Sequence, residues 1–357
     1  MDGIDIAIIE TDGRGVVKRG ACRTFPYDST CRALLGEAVA AARDVEDRAA
    51  RPGVLAEAEA VLTQRHAEAV EEFIRYEALD RSSIDVIGFH GQTVLHRPEA
   101  RLTVQIGDGP ALAKALQIPV VYDLRAHDVE MGGQGAPLAP VYHRALASGV
   151  GGRPLVVLNI GGVSNITWIG EDGELVAFDT GPGGALLDDW VHQHSDDGAR
   201  FDAEGSLSKS GRVKTDIVAQ FAAHPFFVQP PPKSLDRNAF SLDLVSGLSP
   251  ADGAATLCAL SAEAIALGLE LLGKSPVKIV ACGGGRKNPV LMQMLAERTG
   301  VEVLTAEEAG FDGDSVEAEA WAYMAVRSRL GLGITFPGTT GAPYELSGGV
   351  LAEPAAA

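Results

Sequence analysis

The chain has 357 residues, 46% of them hydrophobic and 22% charged, the balance of a protein that buries a full core. That length exceeds what one core normally supports, so two domains are expected. The formal net charge of −18 argues against a nucleic-acid or anionic-membrane partner, since either needs clustered Lys and Arg.

The N-terminal segment reads as a β-hairpin, with apolar alternation over 4–9 and 16–25 flanking the Asp12-Gly13 turn. A polar, alanine-rich stretch over 29–76 has apolar residues at helical spacing, with Arg51-Pro52-Gly53 as its breaker. Strands are expected at 84–89, delivering His90-Gly91-Gln92-Thr93, at 102–106 before Gly107, and at 119–122, ending at Asp123. After the glycine-rich loop 131–137 comes a helix. The pattern then restarts with a strand at 155–160, a hairpin through Thr167 to Leu175, and a strand over 174–178. Residues 225–237 carry Pro225, Pro230, Pro231 and Pro232 and read as a long loop. A strand at 277–282 and helices at 254–272 and 316–330 follow, and Ala355-Ala356-Ala357 reads as a frayed tail. Each half opens with a hairpin and then alternates helix with strand, which predicts two related α/β lobes. The boundaries read from sequence are 1–124, with 350–357 a candidate addition, and 125–349.

Cys22, Cys31, Cys258 and Cys282 are scattered without C-x-x-C spacing, so neither a disulfide framework nor a zinc site is expected. The sequence shows no basic-apolar-small leader pattern and no uninterrupted apolar run of about 18 residues, so a cytoplasmic location without a membrane span is expected.

The run Phe178-Asp179-Thr180-Gly181-Pro182-Gly183-Gly184 sets a carboxylate at the expected end of a strand and the start of a Gly/Pro turn. Strand ends of that kind collect ligands in open α/β sheets, and glycines let backbone N–H groups close around a phosphate. An ordinary strand-to-helix turn with Asp179 as an N-cap is the alternative. Three further clusters follow apolar strands or open one: Asn159-Ile160-Gly161-Gly162, Cys282-Gly283-Gly284-Gly285 and Asp2-Gly3-Ile4-Asp5. Their repetition points to a nucleotide held between two sheets. No G-x-G-x-x-G opens an early helix and no G-x-x-x-x-G-K-[ST] occurs, so neither a Rossmann dinucleotide site nor a P-loop is indicated.

These elements, together with Gln105-Ile106-Gly107-Asp108, Asp123-Leu124-Arg125 with Asp128, Gly132 to Leu138, Asn165-Ile166-Thr167, Pro231-Pro232-Lys233-Ser234, Asn288 and Glu317-Ala318, resemble in chain order the anhydro-N-acetylmuramic acid kinase family. The family belongs to the actin and sugar-kinase superfamily. The resemblance covers almost the whole chain and implies two ribonuclease-H-like, actin-like lobes with a cleft between them and a homodimer; the division of the expected contacts between the two lobes predicts hinge closure on substrate. It implies that ATP and water convert 1,6-anhydro-N-acetylmuramic acid to N-acetylmuramic acid 6-phosphate and ADP, in peptidoglycan recycling. Asp179 is then the catalytic base. Asp2, Gly3, Asp5, Asn159, Gly161, Gly162, Gly181, Gly183, Gly283, Gly284 and Asn288 are the expected ATP contacts, with Mg²⁺ carried on the ATP phosphates near Asp2. His90, Gln92, Thr93, Arg125, Asp128 and Glu317 are the expected sugar contacts. Outside the resemblance, a lone Glu on a helix is usually solvated and a His in a strand-end turn is often a structural hydrogen-bonder.

The sequence departs from the family where the first phosphate loop reads Gly-Thr-Ser-x-Asp-Gly, against Met1-Asp2-Gly3 here. The expectation is that an in-frame upstream start supplies the rest and that the 357-residue form is a poor kinase. Gly184 stands where Asn is common, and Leu235-Asp236 where Thr-Gly is usual. The alternatives are another sugar- or acetate-type kinase of the superfamily, or an ATP-dependent binding protein without catalysis.

Overall fold

The computed structural model describes residues 3–195 and 198–354. The hairpin is β1 (Gly3–Thr11) paired antiparallel with β2 (Val17–Pro26), and the Asp12 carboxylate closes its turn by accepting the N–H groups of Arg14, Gly15 and Val16. Helix α1 (Ser29–Ala41) starts at Asp28, whose carboxylate accepts the Cys31 N–H, and α2 (Val54–Tyr76) starts after Gly53, which holds the positive φ a breaker needs. Next come β3 (Ile87–Gly88), β4 (Gln92–Arg97), β5 (Leu102–Ile106), α3 (Gly109–Leu116), β6 (Val120–Tyr122), α4 (Ala126–Glu130) and α5 (Pro140–Leu146). The expected strand at 84–89 shrinks to two residues, and Gln92-Thr93 opens a strand that periodicity did not reveal. β4 pairs antiparallel with β5, with a register shift between Thr93 and Leu95 that breaks its alternation.

A second run of elements comprises β7 (Leu155–Ile160), β8 (Val163–Ile169), β9 (Leu175–Pro182), α6 (Ala185–His194), α7 (Ser206–Ser210), α8 (Thr215–Ala222), α9 (Pro250–Glu270), β10 (Lys278–Cys282), α10 (Pro289–Thr299) and β11 (Glu302–Thr305). The chain closes with α11 (Val316–Arg329), α12 (Pro337–Thr340) and β12 (Val350–Ala352). Residues 229–237 are irregular as expected, but Pro225–Val228 forms a 3-10 turn. Helix α9 begins four residues earlier than expected, with Ser249 as cap and Pro250 in the first turn, where a missing N–H costs nothing.

Two compact units result: Met1–Ser148 with Ser315–Ala357, and Gly149–Asp314. The boundary at 124/125 therefore falls inside the first unit. α4 packs on β5, and α11 packs on β1, β3, β6 and α5, so the residues after 125 and after 315 share the N-terminal core. The second unit holds one five-stranded sheet of order β11-β10-β7-β8-β9, parallel across β11-β10-β7 and antiparallel across β7-β8-β9, a ribonuclease-H-like order. α9 packs against β9 and helices α6, α7, α8 and α10. That role explains its composition: its mean hydropathy of 1.3 over a bilayer-length window would suit a membrane, but 78% of that window is buried in the unit's core. The first unit is also α/β, but its strands form three separate groups, β1-β2, β12-β6-β3 and β4-β5.

Candidate active site

In the second unit, β9 does not stop at Phe178 as expected. It pairs with β8 through Pro182, so Asp179, Thr180 and Gly181 lie in the strand and only Gly183-Gly184 turn. Ser164 faces Gly181 while Asn165 faces Asp179, which leaves Thr180 as an extra residue. This is a β-bulge, a device that re-aims neighbouring side chains. The Thr180 hydroxyl fixes it by donating to the Ser164 carbonyl.

Asp179 is clamped by the proline-rich loop at both backbone and side chain. Its N–H donates to the Lys233 carbonyl at 3.0 Å, and its Oδ2 accepts the Leu235 N–H at 2.8 Å. Burial holds its carboxyl above the usual range, with the Leu235 N–H pulling the other way. An ionisable group with few partners beside a bulge is suited to accept a proton. Lys233, which the sequence reading did not single out as a site residue, donates from Nζ to the Phe226 carbonyl at 2.8 Å and lies 4.3 Å from the Phe226 ring centre. Burial pushes its ammonium down to about 8. The signal was present in the Pro231-Pro232-Lys233 run, but only the fold brings that loop to Asp179.

The glycine turns interlock. The Gly183 N–H donates to the Gly162 carbonyl at 2.9 Å and the Gly184 N–H to the Gly161 carbonyl at 2.7 Å. The Gly183 amide is thus spent on the protein, where a phosphate contact was expected. A Cβ at Gly183 would stand 2.3 Å from the Gly161 oxygen, and one at Gly181 would stand 2.5 Å from the Ala264 Cβ. Both glycines are required by packing. Gly283, at φ +76°, passes over Asn159 and Ile160, with a Cβ there only 2.4 Å from the Asn159 Oδ1, while Gly284 faces open space. Asn288 is buried and caps α10, its Oδ1 accepting the N–H groups of Val290 and Leu291. Its side chain serves the fold at a position expected to contact nucleotide.

In the first unit, the structure brings together His90, Arg125 and Trp321. His90 follows β3 and packs on Trp321 of α11 at 4.4 Å between ring centres, and the Arg125 Nη2 lies 3.3 Å from the His90 Nε2. Burial, then the Arg125 charge, push His90 down to about 3, so it is neutral and presents Nε2 as an acceptor. Arg125 donates through Nη1 to the Gly135 carbonyl, lies 5.2 Å from the Trp321 ring centre, and keeps a buried Nε without a partner. Burial pushes the Arg125 guanidinium down from its ordinary value, and Glu317, exposed in the first turn of α11, pulls the other way through space. Trp321 was not anticipated, because its helical position reads as core.

The remaining residues divide. Asp128 is buried and its carboxylate is consumed by the Gly135 N–H and the Thr340 hydroxyl, both at 2.7 Å, so it shapes the 131–137 loop. The Thr93 hydroxyl accepts from Gln105, and the Gln92 amide donates to the Thr93 carbonyl. Asp5 is exposed and accepts the Thr24 hydroxyl, and Gly3 passes too close to Phe25 for a Cβ. Asp2 lies outside the described residues. Glu319 is the buried acid of α11: it accepts from Arg19 at 2.8 Å and from the Tyr142 hydroxyl at 2.7 Å.

A half-buried carboxylate on a bulged strand beside interlocked glycine turns is equipment for proton and group transfer, and comparison with known proteins places the chain among kinases. It belongs to the family described as Anhydro-N-acetylmuramic acid kinase, matching it over residues 1–353. Proteins of that name from Rhodopseudomonas palustris strain HaA2 and Bradyrhizobium diazoefficiens are 51% and 50% identical over 99% of this chain and 96% of theirs. The one from Agrobacterium fabrum is 50% identical over 98% of this chain and 95% of its own.

Proposed function

We propose that the chain uses ATP and water to open 1,6-anhydro-N-acetylmuramic acid and phosphorylate its O6, with Asp179 as the base. Water adds to C1 and gives its proton to Asp179. The C1–O6 bond breaks, and O6 takes the γ-phosphoryl group as its bond to ADP breaks. The observation that carries this reading is the Asp179 carboxylate, raised in basicity by burial and held by the Leu235 N–H. The neutral His90 and the Arg125 fork are assigned to the sugar, Arg125 to its carboxylate, and Glu317 to a hydroxyl or N–H of the ring.

The backbone of the 161–162 and 283–284 turns is assigned to ATP. Among the described residues no group of three His, Cys, Asp or Glu side chains is disposed to hold a metal ion. Mg²⁺ is assigned to the ATP phosphates, where it would neutralise charge. A cytoplasmic homodimer serving cell-wall recycling fits this activity. The test is ADP release with and without the anhydro sugar: release that requires the sugar and yields the 6-phosphate supports the reading, and sugar-independent release refutes it.

A further inference from the structure

Pro230, Pro231 and Pro232 carry no N–H, so this stretch of the loop cannot fasten itself through main-chain donors of its own. A side chain takes over that task. The Lys233 Nζ reaches back seven residues, past the prolines, to donate to the Phe226 carbonyl at 2.8 Å. Its ammonium lies 4.3 Å from the Phe226 ring centre and 5.8 Å from that of Phe178, close enough to be attracted by both rings. Phe178 and Phe226 are themselves buried in the core of the second unit, so the ammonium is tied to fixed points.

The same few residues hold Asp179. The Lys233 carbonyl accepts the Asp179 N–H at 3.0 Å, and two residues further on the Leu235 N–H donates to Oδ2 at 2.8 Å. Phe178, beside the ammonium, is the residue before Asp179 in β9. Where the Leu235 N–H stands therefore governs both the direction and the basicity of the carboxylate. Burial raises the Asp179 carboxyl and the Leu235 N–H lowers it, and no charged side chain is among the causes.

We infer that Lys233 is a positioning residue for Asp179: its ammonium fastens the proline-rich loop to Phe226 and Phe178, which keeps the Leu235 N–H on the carboxylate. The inference rests on the reading of Asp179 as the base. Lys233 acts through the main chain of the loop and not on substrate. Without the tie, the Leu235 N–H drifts from Oδ2, and a reacting group displaced by about 1 Å can lose about 10²-fold in rate.

The test compares Lys233→Met, which keeps an apolar stem over the rings but loses the donor, with Lys233→Arg, which keeps a cation and donors. At pH 7, below the value of about 8 at which the native ammonium titrates, the Met chain is expected to lose at least tenfold in kcat. Its KM values for ATP and the anhydro sugar should stay within about twofold of native. The Leu235 amide should exchange at least tenfold faster, with β7, β8 and β9 protected as in the native chain. The acid limb of kcat/KM should move to higher pH, because the carboxylate has lost the N–H that lowers it. The Arg chain should recover most of each readout. Unchanged Leu235 exchange with native kcat overturns the inference, as does an Arg chain no better than the Met chain. A raised KM for ATP with unchanged Leu235 exchange overturns it in favour of a nucleotide contact, and faster exchange throughout β7–β9 in favour of a general structural role. Leu235 exchange reports on the tie even if Asp179→Asn keeps its turnover, so failure of the base assignment is read separately.

Discussion

Replacing Asp179 with Asn separates catalysis from folding because the structure shows what each atom of the carboxylate does. The Asn carbonyl still accepts the Leu235 N–H, and the bond from the Asp179 N–H to the Lys233 carbonyl is main chain, so the loop stays in place. Exchanging a charged for a neutral acceptor weakens that hydrogen bond by about 1 kcal/mol. Against this, the ionised carboxyl is penalised by burial and the amide is not. The sign follows: the folded state holds the Asp179 proton more tightly than the unfolded one, so the native chain loses stability as pH rises above the ordinary carboxylate range. The variant escapes that loss. Its Tm should equal or exceed the native value at pH 8, and its relative standing should fall towards pH 4, where the native carboxyl also carries a proton. Turnover should drop by about 10²–10⁴-fold, or about 3–5 kcal/mol of transition-state stabilisation, since the amide cannot accept water's proton. Coupled ADP release with the anhydro sugar reads the rate, and calorimetry at the two pH values reads the stability. Near-native turnover would remove Asp179 as the base. A large loss of Tm at pH 8 would show that its charge supports the fold.

Glu319→Ala should destabilise by about 3–5 kcal/mol in urea unfolding, because it removes the buried carboxylate that pairs with the Arg19 guanidinium and accepts the Tyr142 hydroxyl, and a loss under 1 kcal/mol would contradict the network. Arg125→Lys should raise KM for the sugar roughly tenfold with a smaller effect on kcat, since an ammonium cannot serve both the Gly135 carbonyl and a planar carboxylate, and an unchanged KM would detach Arg125 from the substrate. His143 is buried and pushed down to about 4, so the unfolded state binds its proton first and stability should decline as pH falls from about 6.5 towards 4. His143→Leu should flatten that decline in melting curves, and an identical slope would show that other groups cause it.

Much of the chain is determined by the sequence alone. Apolar alternation around Asp12-Gly13 makes the first hairpin, and Gly53 sets a helix start, because these features depend on the chemistry of neighbouring residues. The order of the motifs is equally local, and it suffices for the family. Tertiary structure decided which polar groups remain for chemistry. Asp128, Asn288 and the Gly183 amide look like ligand contacts in the sequence, and their hydrogen bonds are spent on Gly135 and Thr340, on the start of α10, and on Gly162. Conversely, Trp321 and Lys233 read as core and loop, and acquire interest only because α11 comes to His90 and the proline-rich loop comes to Asp179. The bulge at Thr180 has no sequence signature, since strand register is a property of the pair β8–β9 and not of either strand. Partners distant in sequence are fixed by burial and closure of the whole unit, and periodicity along one segment holds no record of them.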